Sequence, residues 1–258
     1  MIVRGPAELE RHYEELTAGD VVVGLLPARV LKGAGSADLL ERGVRFVPAL
    51  TCQALSRSKC AQALVFRGWM APHTRVVARR AELMEALGDY ARHAVGAVVT
   101  KQEGMHCGHG IRRWESVEAL YNTVAFDPGA YPFVLQPFLE GTGDVRVIVV
   151  GDYVEAYLRE NLYNFRANIA AGGASRPLRM DPAAEALCRA VMERGRFPYA
   201  HVDLHLAPSG ECLVSEITLE GGIAAAHIGR AELDRLKRQR LEELVRTSAA
   251  AEPQDRRK

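Results

Sequence analysis

The chain has 258 residues, and its 33 Lys and Arg balance 32 Asp and Glu to a net charge of +1. That balance removes the electrostatic case for nucleic acid or an anionic membrane, and no apolar run approaches the ~20 residues of a membrane span. The start, MIVRGPAELE, lacks the apolar core of a signal peptide, and five scattered cysteines read as reduced thiols. A cytoplasmic location is expected.

In chain order, residues 7–16 have helical spacing (Leu9, Tyr13, Leu16), and the apolar run 20–26 suits a buried parallel strand. A helix over 36–42, capped by Ser36 and closed by Gly43, leads to a strand over 44–48. This strand–helix–strand alternation is the α/β pattern. The spacing then predicts one helix over 51–67, a strand over 73–78 and an amphipathic helix over 80–93.

A buried strand over 96–101 ends in Lys101. It is followed by QEGMHCGHGI, whose Gly104, Gly108 and Gly110 let backbone N–H groups approach an anion. No Gly-Lys-Ser/Thr follows, so this is not a P-loop, and no GxGxxG opens a helix. A flexible hairpin tip stays open as the plain alternative. His106, Cys107 and His109 can be read as soft metal ligands, but no second ligand cluster at finger-like spacing accompanies them.

A short helix over 117–121 and an extended segment over 131–140 come next. Strands over 144–150 and 153–158 flank the two-residue turn Gly151-Asp152. Residues 161–175 are polar and Gly-rich, and a helix over 182–194 carries Pro182 in its first turn. Two alternating runs, 200–206 and 211–217, are joined by Ala207-Pro208-Ser209-Gly210, a hairpin signature. Alternation puts His201, Asp203 and His205 on one face and leaves Glu216 on the second strand. Paired carboxylates inside apolar strands suit a hard divalent cation; two solvated surface acids fit the hairpin alone equally well.

Taken together, these features resemble the ATP-grasp superfamily, specifically the RimK-like and glutathione-synthetase-like carboxylate–amine ligases, over residues 44–223. Lys59 in SRSKCAQALVFRGW matches the lysine of the helix before the ATP-binding region, and Lys101 matches the second ATP lysine. Gln136-Pro137-Phe138-Leu139-Glu140 sits at the adenine hinge. Asp144-Val145-Arg146 matches an Asp-x-Arg whose Asp contacts ribose. Phe165-Arg166-Ala167-Asn168, followed by Gly172-Gly173, matches a signature near the phosphates. Asp203 and Glu216 match two of three Mg²⁺ ligands.

The resemblance implies an ATP-grasp fold, α/β in class, with two antiparallel-sheet lobes clasping ATP behind a shortened N-terminal α/β unit. It implies units at 1–70, 71–134 (the small lobe), 135–232 (the large lobe) and 233–258, a charged helix and disordered tail. It also implies an ATP- and Mg²⁺-dependent ligase, with Mn²⁺ as the alternative ion. Such an enzyme joins a small-molecule or peptide carboxylate to an amine through an acyl phosphate. Lys101, Arg146 and Arg166 are expected to neutralise phosphate charge, and Gly104, Gly108, Gly110, Gln136, Phe138, Leu139, Asp144 and Asn168 to hold nucleotide. A kinase using the same site, a degenerate nucleotide-binding module and a homo-oligomer remain open. The family's Glu-x-Asn is here Glu216-Ile217-Thr218, and Leu219-Glu220-Gly221-Gly222 replaces the Ser-Pro-Gly that commonly follows. Thr218 or Glu220 is therefore expected to complete the metal site. Removing the charge of Asp203 is expected to relieve repulsion from Glu216 without unfolding the chain.

Overall fold

The computed structural model describes residues 1–105, 108–167 and 172–250, the last three as backbone only. His106, Cys107 and Asn168 therefore lie outside the described residues. So do residues 251–258 of the expected disordered tail.

Three short strands, β1 (Ile2–Arg4), β2 (Val21–Val23) and β3 (Arg45–Val47), form a parallel sheet in the order β1-β2-β3. Helices α1 (Gly5–His12), α2 (Ala28–Lys32) and α3 (Ala34–Glu41) connect them. β1 has too few residues to show a period. Ser36 is not the cap of α3: Gly33 occupies that position, and the Ser36 hydroxyl points back to the Leu31 carbonyl at 3.4 Å.

The segment predicted as one helix is two, α4 (Leu50–Leu55) and α5 (Lys59–Val65). The apolar period runs through both, but the Ser58 hydroxyl accepts from Ala61 N–H at 3.0 Å and starts a new helix. This places Lys59 in the first turn of α5. Both helices bury Cys52, Leu55 and Ala63 in the core of the large sheet described below, so they pack with that lobe although sequence order groups them with the N-terminal unit.

The small lobe holds β4 (Arg75–Val77), α6 (Arg80–Arg92), β5 (Val98–Gln102), β6 (Ile111–Trp114), α7 (Val117–Val124) and β7 (Phe133–Pro137). Its antiparallel sheet runs β4-β7-β5-β6. Val77, Val98, Phe133 and Leu135 bury against Leu83, Ala86, Tyr90 and Leu120 of the two helices. Alternation leaves Val99, Lys101, Val134 and Gln136 on the opposite face.

The large lobe is a five-stranded antiparallel sheet, β10-β9-β8-β11-β12. Its strands are β8 (Gly143–Val150), β9 (Tyr153–Glu160), β10 (Ala174–Leu178), β11 (Tyr199–Leu206) and β12 (Cys212–Thr218), with α8 (Pro182–Gly195) crossing before β11. Val150 pairs directly with Tyr153, so the turn has the two predicted residues, with Gly151 at φ +59°. β10 is mostly exposed, lies at the edge and has no apolar alternation, which hid it in the sequence.

The last helix, α9 (Arg230–Ala250), was expected as a solvated charged face ending in a disordered tail. Instead it remains helical through Ala250, buries Leu233 and Lys237, and sets Val245 against Val21, Val23 and Val47. It closes the open face of the parallel sheet. No described helix is long and apolar enough to cross a membrane.

Candidate active site

The expected carboxylate pair is in register: Asp203 lies directly opposite Glu216 in the β11–β12 ladder. The same rung continues through Arg146 on β8 to Tyr157 on β9. Opposed residues in a ladder share a face, so Tyr157, Arg146, Asp203 and Glu216 form one row across four strands. Thr218 and His201 oppose each other on the next rung of that face.

A β-bulge follows the pair. The register shifts between Asp203 and Leu204, so Ser215 is an extra residue with no partner on β11. Its carbonyl and hydroxyl accept from Lys101 Nζ at 3.1 and 3.0 Å. The bulge thereby fastens the small-lobe lysine beside the carboxylates. Lys59 reaches the same place, with Nζ 3.4 Å from Glu216 Oε1 and donating to the Met105 carbonyl. Gln62 of α5 fixes the strand, accepting from Ile217 N–H and donating to its carbonyl, both at 2.9 Å.

Asp203 is clamped by guanidinium groups. Arg146 Nε and Nη2 donate to its two oxygens at 2.7 Å each, and Arg159 Nη2 lies 3.0 Å from Oδ2. Arg159 also donates to Asp144 from Nε at 2.7 Å. Burial alone would raise the Asp203 carboxyl, but Arg146 and then Arg159 hold it well below the usual range. Asp144 moves up instead, through burial and the neighbouring Asp203 charge. The expected relief of repulsion on neutralising Asp203 is thus reversed, because its charge compensates the buried Arg159 and the half-buried Arg146.

Arg159 lies one residue beyond the strand expected over 153–158; β9 runs on to Glu160, and its alternation puts Arg159 in phase with Tyr157. Burial moves Lys101 below its ordinary value, against the attraction of Glu216.

A cleft of about 480 Å³ opens between the two sheets. Lys101, Gln136, Phe138, Leu139, Asp144 and Arg159 line it. Gln136 is buried and donates from Nε2 to Thr74 Oγ1 at 2.9 Å. Phe138 meets Phe165 edge-on at 6.2 Å and lies under the Arg113 guanidinium at 4.5 Å. Gly104 and Gly108 turn the β5–β6 connection, while a Cβ on Gly110 would meet Met105 Cβ at 2.6 Å. Arg166 is not with the carboxylates: it donates to the Gly108 carbonyl at 3.2 Å and to that of Ile111, tying the 161–167 segment to this loop. The Thr218 hydroxyl donates to the Glu220 carbonyl at 2.8 Å, and the Glu220 carboxylate pairs with Lys237 at 3.4 Å.

The RimK-like ATP-grasp domain profile matches residues 54–228. The chain belongs to the RimK-like ATP-grasp family. Among solved structures, this ATP-grasp protein resembles D-cycloserine synthetase DcsG, with a TM-score of 0.62 at 16% identity over 87% of this chain and 84% of that one. It also resembles a D-alanine–D-alanine ligase from Bacillus anthracis, at 0.61 and 11%, over 95% and 97%. A third is the ATP-grasp ligase PsnB complexed with minimal precursor, Mg and ADP, at 0.58 and 16%, over 86% and 77%. No curated protein sequence matches the chain significantly. At these identities the structural likeness establishes the fold.

The donor set fits a hard cation carried by a polyanion. Asp203, Glu216 and Thr218 offer only oxygen, yet Lys59, Lys101, Arg146 and Arg159 outnumber the carboxylates of Asp144, Asp203 and Glu216. That balance suits Mg²⁺ arriving with phosphate oxygens better than Mg²⁺ alone.

Two histidines of β11, the buried His201 and the half-buried His205, predict acid lability. Burial, then Lys237 and Arg146, push His201 down to about 3; burial, then Lys101, pushes His205 down to about 4. Both folded values lie below the unfolded value near 6.5, so the stability from keeping them neutral is complete above that pH. It is lost as pH falls towards the folded values. By about pH 4.5 the loss is roughly 2–3 kcal/mol per histidine. Urea unfolding at pH 7 and near pH 4.5 measures it, and His201→Gln should flatten the slope. A midpoint that is flat across that window contradicts the assignment.

Proposed function

We propose that this protein is an ATP- and Mg²⁺-dependent ligase that joins a carboxylate to an amine. The observation that carries this reading is the in-register Asp203–Glu216 pair beside Lys101 at the edge of the inter-sheet cleft. Asp203, Glu216 and Thr218 would hold Mg²⁺, which would supply charge neutralisation to the phosphates; Mn²⁺, with the same preference for oxygen, should substitute. Gln136, Phe138 and Leu139 would receive the adenine.

In the reaction, an oxygen of the acid attacks the γ-phosphorus and ADP leaves. The amine then attacks the acyl carbon, phosphate leaves, and the nitrogen loses a proton. Such phosphoryl transfer needs positioning and electrostatics rather than covalent help from the protein. Lys101 and Lys59 place two ammonium groups beside the carboxylate pair. Arg146 and Arg159 keep Asp203 ionised and oriented. Access to ATP places the reaction in the cytoplasm, and the acid is a small molecule or a peptide.

The test is ADP release with panels of acids, with and without amines. Release that needs both, with an amide product, is expected. Release with acid or alcohol alone and a stable phosphorylated product would make it a kinase, and nucleotide binding without turnover a degenerate module.

A magnesium titration tests the third ligand. Thr218→Asn should lower the Mg²⁺ needed for half-maximal ADP formation and Thr218→Val should raise it, each several-fold. Glu220→Gln should be nearly silent, because Lys237 already holds that carboxylate. A requirement unmoved by both Thr218 variants removes Thr218 from the site.

A further inference from the structure

We propose that His73, Asp89 and His93 form a second metal site, on the small lobe, for a divalent transition metal of the Zn²⁺ class. None of the three lines the nucleotide cleft. One ligand atom from each lies within 4.8 Å of the others. His73 Nδ1 is 3.8 Å from Asp89 Oδ2, His93 Nδ1 is 3.5 Å from Asp89 Oδ1, and the imidazole centroids are 4.2 Å apart. In a tetrahedral shell with bonds of 2.0–2.1 Å, neighbouring ligands sit about 3.3 Å apart. Small side-chain rotations close the difference, and the exposed His93 can make them.

The supports of the cluster are in place. Asp89 on α6 and His93 at the C-cap of that helix are four residues apart, which brings them to one side of it. Their partner, His73, holds φ +62°, a conformation rare outside glycine and one that collects at functional positions. Its carbonyl is fixed by the hydroxyl of fully buried Tyr90 at 2.8 Å. His93 Nδ1 lies 2.8 Å from the Asp89 carbonyl; binding a metal through Nδ1 exchanges that hydrogen bond for the metal bond and leaves the ring proton on Nε2.

The charges select the ion. Arg75 and Arg92 approach Asp89 at 3.8 and 3.4 Å, which disfavours a cation held by charge alone, such as Mg²⁺. Two imidazoles favour Co²⁺, Ni²⁺, Cu²⁺ or Zn²⁺. Three protein ligands leave a position for water or a partner's side chain. Thr74, next to His73, accepts from Gln136, so the site adjoins the cleft wall.

The test is titration of chelator-treated, nucleotide-free, full-length protein with Co²⁺, read by visible absorption. One equivalent should develop d–d bands that Zn²⁺ abolishes. His93→Gln and His73→Asn, the latter chosen because Asn tolerates positive φ, should each weaken binding at least tenfold while Tm stays near wild type. Glu216→Gln, which alters the other candidate metal site, should leave the bands unchanged. Absence of bands, bands indifferent to both histidine variants, or a thiolate charge-transfer band each overturns the proposal.

Discussion

Asp203→Asn is expected to eliminate ADP formation and to weaken the fold at once. The carboxylate accepts from both prongs of Arg146 and faces Arg159. An Asn carboxamide can accept through one atom only, and its NH₂ would confront a guanidinium donor. The buried Arg159 and the half-buried Arg146 are then left with Asp144 as the remaining carboxylate acting on both. Breaking a buried pair by removing one partner costs roughly 3 kcal/mol or more. The catalytic loss should be about a thousand-fold or greater, since a metal-ligating charge contributes several kcal/mol. Urea unfolding of nucleotide-free protein reads the first effect, and ADP release well below Tm reads the second. An unchanged urea midpoint would show that the clamp is not structural; activity within tenfold of wild type would remove Asp203 from the metal site.

Lys101→Met should separate function from stability in the opposite sense. The lysine is buried, its ammonium rests on Ser215, and Lys59 lies nearby. Desolvating a cation is costly, and Met keeps the length and apolar stem of the side chain. Loss of two hydrogen bonds to Ser215 offsets part of the gain. Nucleotide-free stability should therefore be unchanged or higher, by up to about 1 kcal/mol. The cation aimed at phosphate is gone, so ADP formation should fall roughly 10²–10³-fold. The rise in Tm given by Mg-ADP should shrink, because a ligand that binds only the native state stabilises it in proportion to affinity. A variant that keeps the full nucleotide shift, or that unfolds without ligand, contradicts this account of Lys101.

The site was legible where local periodicity carried the information. Asp203 and Glu216 were placed on opposed strands because two alternating runs flank a Pro-Ser-Gly turn, and a hairpin pairs its own strands whatever the rest of the chain does. Lys101 stood out as a charge ending an apolar run, whereas Phe138 and Leu139 were singled out only by the family resemblance. Arg146, flanked by Val145 and Val147, was visible for the same reason as Lys101. The family resemblance added the nucleotide to these positions.

Other features had no local signal. The break at Ser58 interrupts a helix whose apolar spacing continues, so only the hydroxyl cap reveals it. The bulge at Ser215 is a partial exception: two polar residues, Ser215 and Glu216, separate the buried Val214 and Ile217 where strict alternation allows one, but nothing local shows that the bulge frees the carbonyl that Lys101 takes. α9 carries Leu233, Leu236, Leu241, Leu244 and Val245 on one side, a stripe masked by its many charges, and what covers the end of that stripe is a parallel sheet far earlier in the chain. Arg166, expected among the phosphates, reaches the carbonyls of the glycine-rich loop.

By itself, then, the sequence determined which residues share a face and which hairpin holds the carboxylates, because period and turn chemistry act over a few residues. Only the tertiary structure decided that β8 lies beside β11. That single adjacency sets Arg146 against Asp203 and brings Arg159 within reach. It turns a pair of carboxylates that should repel into an ion cluster whose charge the fold requires. Strands separated by β9, β10 and α8 pair because burying Val147, Val149, Val202 and Leu204 in one core is favourable, and such long-range burial leaves no mark on the spacing of residues along either strand.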